Sequence, residues 1–447
     1  MTVCNAELRA LRCINSFLEI FGTNINDFGL VDFDVIMNDT NVRYWKNYYV
    51  QGITCCSTIS TTYCISNNTL GEAASLLSAK RTSHLRFTIP LQTSSDMQCS
   101  VSKQSSLGQL LQMKKLIMWD EAPMINRCAF ETLDNMLKDI TECELSFGGN
   151  VVVFGGNFRQ VLPVVKRGTK DDIMKASLVF SELWQYFTQL PLTENMRAKL
   201  DHLFYEYLLR IGNGIEREHT CHMIKLPSYI IIDFESEFES LKKLIAIVFP
   251  DFHTYGNNLN TMMNRVILTS KNEHVDVINN MLVKEIPREI FTYFSFDEVI
   301  DKTEGFIRED FLNSLTPNDI PPRELVLKRN CPVMFLRNIN LSEGDKHSVP
   351  FKRTQFPIRP CFAMTINKDQ GQTLDFVGLY LPEPAFSHGQ LYVTLSRART
   401  RENIKVLIKL MDEKNHTIVA QKILKEDIFS ANPFCVKENN IQLYKVS

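Results

Sequence analysis

A chain of 447 residues, 44% hydrophobic and 22% charged, has room for two or three packed domains and the composition of an ordinary globular protein. Its net charge of −2 excludes a global basic field, so any contact with nucleic acid must come from local patches. Twelve cysteines without one C-x-x-C pair argue against a zinc site and for reduced, mostly buried thiols.

The N-terminus lacks the basic region and apolar stretch of a secretory signal. The longest apolar runs, such as "LIAIVF" (244–249), fall far short of the roughly 20 residues that span a bilayer, so no membrane partner is expected. Leu8, Leu11, Ile14 and Leu18 predict a helix over 6–20. Residues 92–107, rich in Ser and Gln, read as a loop. "KKLIMWDEAPM" (114–124) is a short apolar strand ending in acids, and "CAFETLDNMLKDI" (128–140) follows with helical spacing. "NVVVFGGNFRQ" (150–160) is the next strand, and "SELWQYFTQLPLTENMR" (181–197) carries a helix into a strand-like turn. Residues 215–241 read as a polar, acidic connection with little chemistry. The pattern then restarts: strand, loop and helix in "NRVILTSKNEHVDVINNML" (264–282), and a strand with a basic end in "CPVMFLRNIN" (331–340). "FAMTINKDQGQTL" (362–374) and "HGQLYVTLSRA" (388–398) are polar strand-to-helix junctions. The alternation predicts an α/β fold, with parallel sheets flanked by helices in two lobes.

Several residues are placed where chemistry is done in such folds. Asp120 and Glu121 stand at the carboxyl tip of an apolar strand, as in a Walker B element. There the first acid holds Mg²⁺ and the second orients or deprotonates an attacking water. Alone, such a pair is more often the solvated end of a strand. Gly155 and Gly156 let a backbone approach a ligand closely. Gln160 would read a terminal phosphate, and Arg159 would hold a phosphate or a partner loop. Arg197 offers a second positive contact, and Arg397 the place of an arginine finger. Lys352, Arg353, Arg359, Lys368, Arg399, Arg401 and Lys405 cluster late in the chain, either as a track for single-stranded DNA or as solvated surface charge.

In this order, the blocks resemble superfamily 1 DNA helicases of the Pif (petite integration frequency) type, especially the form carried by Helitron transposons. The matching stretches are "GEAASLLSAKRTSHLRFTIP", "LIMWDEAPM", "FGGNFRQVLPVV", "LTENMRA", "FLNSLTPNDIPPRELVLKRNCPVMFLRNIN" and "QFPIRPCFAMTINKDQGQTLDFVGLYLPEPAFSHGQLYVTLSRART". The resemblance implies two RecA-like lobes of P-loop NTPase fold, hydrolysis of ATP with Mg²⁺, and 5′-to-3′ movement on single-stranded DNA and at duplex junctions. It implies roles in DNA repair, recombination, telomere maintenance or transposon replication, and residence in the nucleus. By resemblance Asp120 and Glu121 serve Mg²⁺ and water, Gly155 and Gly156 line the nucleotide, and Gln160 and Arg197 sense phosphate. Arg397 is the finger, and Thr365, Lys368, Gln370 and Gly371 couple nucleotide to DNA, with Arg359 and Arg399 on the DNA side.

Three departures stand out. None of the 18 glycines is followed by lysine, so the phosphate loop G-x-x-x-x-G-K-[ST] has no counterpart; an opening strand, Tyr48 to Gly52, runs almost directly into the next block. Asn157 stands where the family has Asp. Residues 338–358 are shorter than the family's connection, which carries a small β-barrel insertion. The expected layout is an N-terminal helical segment (1–45), a truncated first lobe (46–200) and a second lobe (201–447). The expected function is an ATP-dependent DNA helicase impaired in catalysis; a helicase-like DNA-binding remnant without enzymatic activity is the alternative.

Overall fold

The structure is a computed structural model, and it describes residues 64–68, 82–90, 99, 101–114, 116–165, 168–192, 200–216, 218–220, 223–250, 252, 264–299, 321–336, 351–370, 372, 374–383, 389–409, 417–419 and 441–446. The helix expected over 6–20, the strand expected at 48–52, Arg197 and Gly371 lie outside these residues. The chain divides into two compact units: Met1–Ile215 with Lys422–Ser447, and Glu216–Gln421. The expected second lobe, 201–447, thus differs at both ends: residues 201–215 stay with the first unit, and residues 422–447 return to it.

The first unit is built on a five-stranded sheet in the order β1-β2-β3-β19-β4. Its strands are β1 (Cys64–Asn68), β2 (Leu116–Asp120), β3 (Val151–Gly156), β4 (Phe187–Leu192) and the last of the described strands, β19 (Ile441–Val446). β1, β2 and β3 are parallel, with Asn68 opposite Asp120 and Trp119 opposite Phe154. β19 is antiparallel to both β3 and β4, so β1 to β4 run one way and β19 alone runs against them. Pro191, which has no N–H to give, is tolerated because β4 is the edge strand.

Helices α1 (Ser83–Phe87), α2 (Ser106–Met113), α3 (Arg127–Thr141), α4 (Lys170–Ala176) and α5 (His202–Asn213) complete the described part of this unit. α2 begins inside the expected loop 92–107 because Ser105 accepts from Gly108 N and caps it. α3 starts at Asn126, whose side chain accepts from Cys128 N, and buries Ala129, Phe130, Leu133, Met136, Leu137 and Ile140 at helical spacing. These residues close on an aromatic core: the Trp119 and Phe130 rings lie 4.8 Å apart, Phe130 meets Phe154 edge-on at 5.1 Å, and Phe154 stacks on Phe187 at 5.2 Å. The core lies beneath the strand tips that carry Asp120 and Gly155-Gly156 and so fixes their positions.

The second unit has its own five-stranded sheet, wholly parallel. The described strands of this unit in chain order are β5 (Glu218–Thr220), β6 (Met223–Lys225), β7 (Ile231–Ile232), β8 (Arg265–Thr269), β9 (Ile290–Phe294), β10 (Phe296–Val299), β11 (Glu324–Lys328), β12 (Val333–Phe335), β13 (Phe351–Thr354), β14 (Ile358–Pro360), β15 (Ala363–Thr365), β16 (Phe376–Leu381), β17 (Ile404–Ile408) and β18 (Thr417–Val419). The main sheet has the order β15-β8-β16-β17-β7. β16 is buried along most of its length, as a strand covered on both faces must be. The helices are α6 (Glu237–Val248), α7 (Asn272–Glu285) and α8 (Gln390–Leu395). Leu241, Leu244, Val248, Ile278 and Leu282 from α6 and α7 pack with Phe249, Phe252 and Phe362 in one core.

Two sequence readings are corrected here. Residues 215–241 are not a bare connection: they hold β5, β6, β7 and the start of α6. Strands of two or three residues are too short to show alternation, and the acids that suggested a linker, Glu237 and Glu239, lie in the first turn of α6, where a helix favours negative charge. The stretch 290–360 also holds three antiparallel pairs, β9 with β11, β10 with β13, and β12 with β14, of which only the strand around Val333–Phe335 was expected.

Candidate functional site

In the first unit the acids and glycines meet. β2 delivers Asp120, half-buried, and Glu121, 1% exposed. Asp120 Oδ1 accepts the N–H of Glu121 at 2.9 Å. Glu121 has φ 55° and ψ 36°, a left-handed conformation that a residue with a side chain adopts at a cost of roughly 1–2 kcal/mol. A short turn, Ala122–Met124, follows at once. β3 ends alongside, and its glycines have a reason that is local: a Cβ on Gly155 would lie 2.9 Å from Asp120 Oδ1, and one on Gly156 would lie 2.1 Å from Pro123 Cδ. The glycines therefore admit the acid-bearing turn of β2 against the tip of β3.

Beyond β3 the chain turns tightly. Gln160 N donates to Asn157 O at 3.0 Å, and Arg159 N donates to Asn157 Oδ1 at 3.0 Å. Asn157, Arg159 and Gln160 are all buried. Arg159 Nε donates to Asn213 Oδ1 at 2.7 Å, which fastens the turn to the end of α5. Sequence reading missed Asn213, which carries no motif. The fit to Mg²⁺ follows from the donor set: one Asp120 oxygen is oriented by a backbone N–H, and a second carboxylate is next in the chain. A magnesium ion takes one or two carboxylates and completes its shell with water and phosphate. Among the described residues no group of three or more His, Cys, Asp or Glu is placed to hold a metal, and no helix is long and apolar enough to cross a membrane.

In the second unit, Thr365 ends β15 and Lys368 N donates to Thr365 O at 3.0 Å. The start of β15 is held by Asn279 of α7, whose Oδ1 accepts from Phe362 N at 3.0 Å and Ala363 N at 2.8 Å. Nothing in the sequence marks Asn279, which sits inside a helix like any solvated amide. Gln370 is fully buried. Arg359 lies 3.7 Å from Asp276 of α7. Burial pushes the Asp276 carboxyl above the ordinary range, while the charges of Arg359 and Lys368 pull it down. Arg399 pairs with Asp375 at 3.5 Å, Lys405 Nζ donates to Tyr229 O at 2.6 Å, and Arg401 lies over the Tyr229 ring at 5.7 Å.

Two arginines are placed otherwise than as open contacts. Arg397 is 1% exposed; its guanidinium donates to Val393 O at 3.0 Å, Gln372 O at 2.9 Å and Ser396 Oγ at 3.2 Å. It ties α8 to the 365–372 turn. Arg353, expected in the DNA track, is buried against Asp297, with bonds of 2.9, 3.1 and 2.7 Å. It pins β13 to β10 and is withdrawn from the surface, so the track is corrected by one residue.

Two α/β units with mainly parallel sheets, one carrying an acid pair at a strand tip, match the RecA-like P-loop helicase fold. The family model for PIF1-like helicases matches residues 46–221, and that for the 2B domain of DNA helicase Pif1 matches 310–344. Over these residues the chain is similar to Pif1-like helicases. An ATP-dependent DNA helicase Pif1 of Campylobacter jejuni is 24% identical over 372 residues, covering 77% of this chain and 78% of that protein. An ATP-dependent DNA helicase PIF1 of Danio rerio is also 24% identical, over 66% of this chain and 46% of its own length, so the chain spans about half of that relative. Among solved structures, the Bacteroides Pif1 helicase in complex with ADP-AlF3 and ssDNA superposes with a TM-score of 0.58 at 19% identity, covering 88% of this chain and 93% of that one. The 2B match begins ahead of 338–358, where the sequence led us to place the family's insertion.

Proposed function

We propose that this chain is an ATP-dependent 5′-to-3′ DNA helicase by descent that engages single-stranded DNA and duplex junctions but hydrolyses ATP poorly. One observation carries the reading: the Asp120-Glu121 tip is built and buttressed, while none of the 18 glycines is followed by lysine. Without that loop, the β- and γ-phosphates lose both an amide cradle and a lysine, while the two acids still repel them. Asn157 removes a further charge from a site organised around Mg²⁺ and phosphate. In this reading Asp120 holds the ion, Glu121 orients water, and Gln160 with Arg197 reads the phosphate. Titration calorimetry with Mg²⁺ and a non-hydrolysable ATP analogue should give weak binding or none; micromolar affinity would mean that another segment replaces the loop.

DNA binding is the part of the function that survives in this proposal. Arg359, Lys368 and Arg399, with Thr365 and Gln370 shaping the turn, form the contact surface of the second unit. Single-stranded DNA should bind with strong salt dependence and little sequence preference. Fluorescence anisotropy at two salt concentrations measures this, and binding that ignores salt would remove the track. The alternative, a DNA-binding remnant without enzymatic activity, is favoured by the burial of Arg397 and is separated from the first reading by DNA-stimulated phosphate release. Service in repair, recombination, telomere maintenance or Helitron replication, in the nucleus, belongs to the same proposal.

A further inference from the structure

We infer that the gap between β3 and β4 is a strand-accepting site, filled in this chain by its own C-terminal hexapeptide, Ile441–Val446. Three observations converge on it. First, β1 to β4 share one direction and the hexapeptide alone is reversed. Second, β1 to β4 all lie within the 46–221 helicase match, whereas 441–446 lies outside both matched regions. An interior position of a sheet made of family residues is thus taken by a segment foreign to the family match. Third, the segment is paired along its whole length with β4, from Ile441 opposite Leu192 to Val446 opposite Phe187, and nearly so with β3, from Gln442 opposite Gly156 to Val446 opposite Val152.

The chemistry suits the role. The sequence IQLYKV contains Ile, Leu, Tyr and Val and no Gly or Pro, and such residues fit a pleated, half-buried surface. Left empty, the gap would present two rows of unpaired N–H and C=O groups, one on β3 and one on β4, which is the template that extended peptides add to. The direction also matters. At the carboxyl edge of such a sheet a parallel strand would turn into a helix whose N-terminal amides face a ligand. A reversed strand enters there instead, next to Gly156, and brings no helix N-terminus. The seating of the strand does not depend on whether ATP is hydrolysed.

A cross-link in the full-length chain tests the seat. Directly opposed residues of an antiparallel pair have Cα atoms about 4.5–5.5 Å apart, within reach of a disulfide. Lys445→Cys with Thr188→Cys should therefore cross-link under mild oxidation, as mapped by mass spectrometry of the digested protein. Gln442→Cys with Thr188→Cys, three positions out of register, should not. No cross-link in the first pair, or equal yields in both, overturns the inference. Tyr444→Pro gives the second reading: amides of Val152–Phe154 and Thr188–Leu190 should exchange about tenfold faster or more. A synthetic peptide of residues 437–447 added in trans should restore their protection. Unchanged exchange in that variant, or no recovery with the peptide, also counts against the site.

Discussion

Gly155 and Gly156 look alike in the sequence and are unequal in the structure. A methyl group on Gly156 meets the ring of Pro123, which cannot swing away; one on Gly155 meets a carboxylate oxygen at the end of a side chain. Gly156→Ala should cost about 1–3 kcal/mol, the usual range for overpacking, and Gly155→Ala clearly less. Urea denaturation of both variants checks this, and equal losses would show that the Pro123 turn yields. The cysteines make a second residue-scale case. Burial pushes the Cys331 thiol up to about 12 and the Cys99 thiol up to about 11. At pH 8 the thiolate fractions are then ~10⁻⁴ and ~10⁻³, so native-state alkylation should be slow and should rise about tenfold per pH unit between pH 8 and 10. A rate that levels off below pH 9 would contradict the burial. The described cysteines, Cys99, Cys128, Cys143, Cys331 and Cys361, are half-buried, short of the burial that the sequence reading expected. The partners of Arg159 and Arg397 were hidden because a side-chain bond to Asn213, or to the carbonyls of Val393 and Gln372, joins positions that no spacing rule links.

Among elements, those with long runs were legible: β2, β3, α3, β8 and α7 fall where their apolar spacing put them. The short antiparallel pairs of 290–360 did not show, because three- to five-residue strands with one solvated side carry little periodic signal. One of these pairs is fastened instead by a point interaction. Arg353 and Asp297, with side chains 0% and 4% exposed, join β13 to β10 through three bonds. Removing one partner strands a buried charge, so Arg353→Ala should cost about 3–5 kcal/mol. The same substitution should leave the salt slope of single-stranded DNA binding unchanged, provided the assay is run below the variant's melting temperature. Lys368→Ala should do the opposite: little change in stability, and a slope smaller by about one. Anisotropy titrations across salt, read beside thermal melts, separate the two roles; a slope change for Arg353→Ala would return that residue to the DNA surface.

At the scale of the whole molecule, the two-lobe α/β plan was readable from the alternation of strands and helices, but the path of the chain through it was not. Periodicity ranks segments and says nothing about which distant strands become neighbours, so the pairing of Ile441–Val446 with β3 and β4 had no precursor in the sequence. That pairing makes the second unit an insertion within the first, since the chain leaves at Ile215 and returns at Lys422. Synthesis is directional, and the ribosome delivers roughly 5–20 residues per second. After Ile215 emerges, the first unit therefore waits roughly 10–45 s for the strand that completes its sheet, while the second unit is made and becomes complete before that strand arrives. During that wait β3 and β4 are open edges on a newborn chain. Ribosome-bound nascent chains halted shortly after Gln421 clears the exit tunnel should resist protease in the second unit and be cut in the first. A chain lacking only its last seven residues would carry that unfinished interval for life, as a standing client for chaperones and a seed for aggregation.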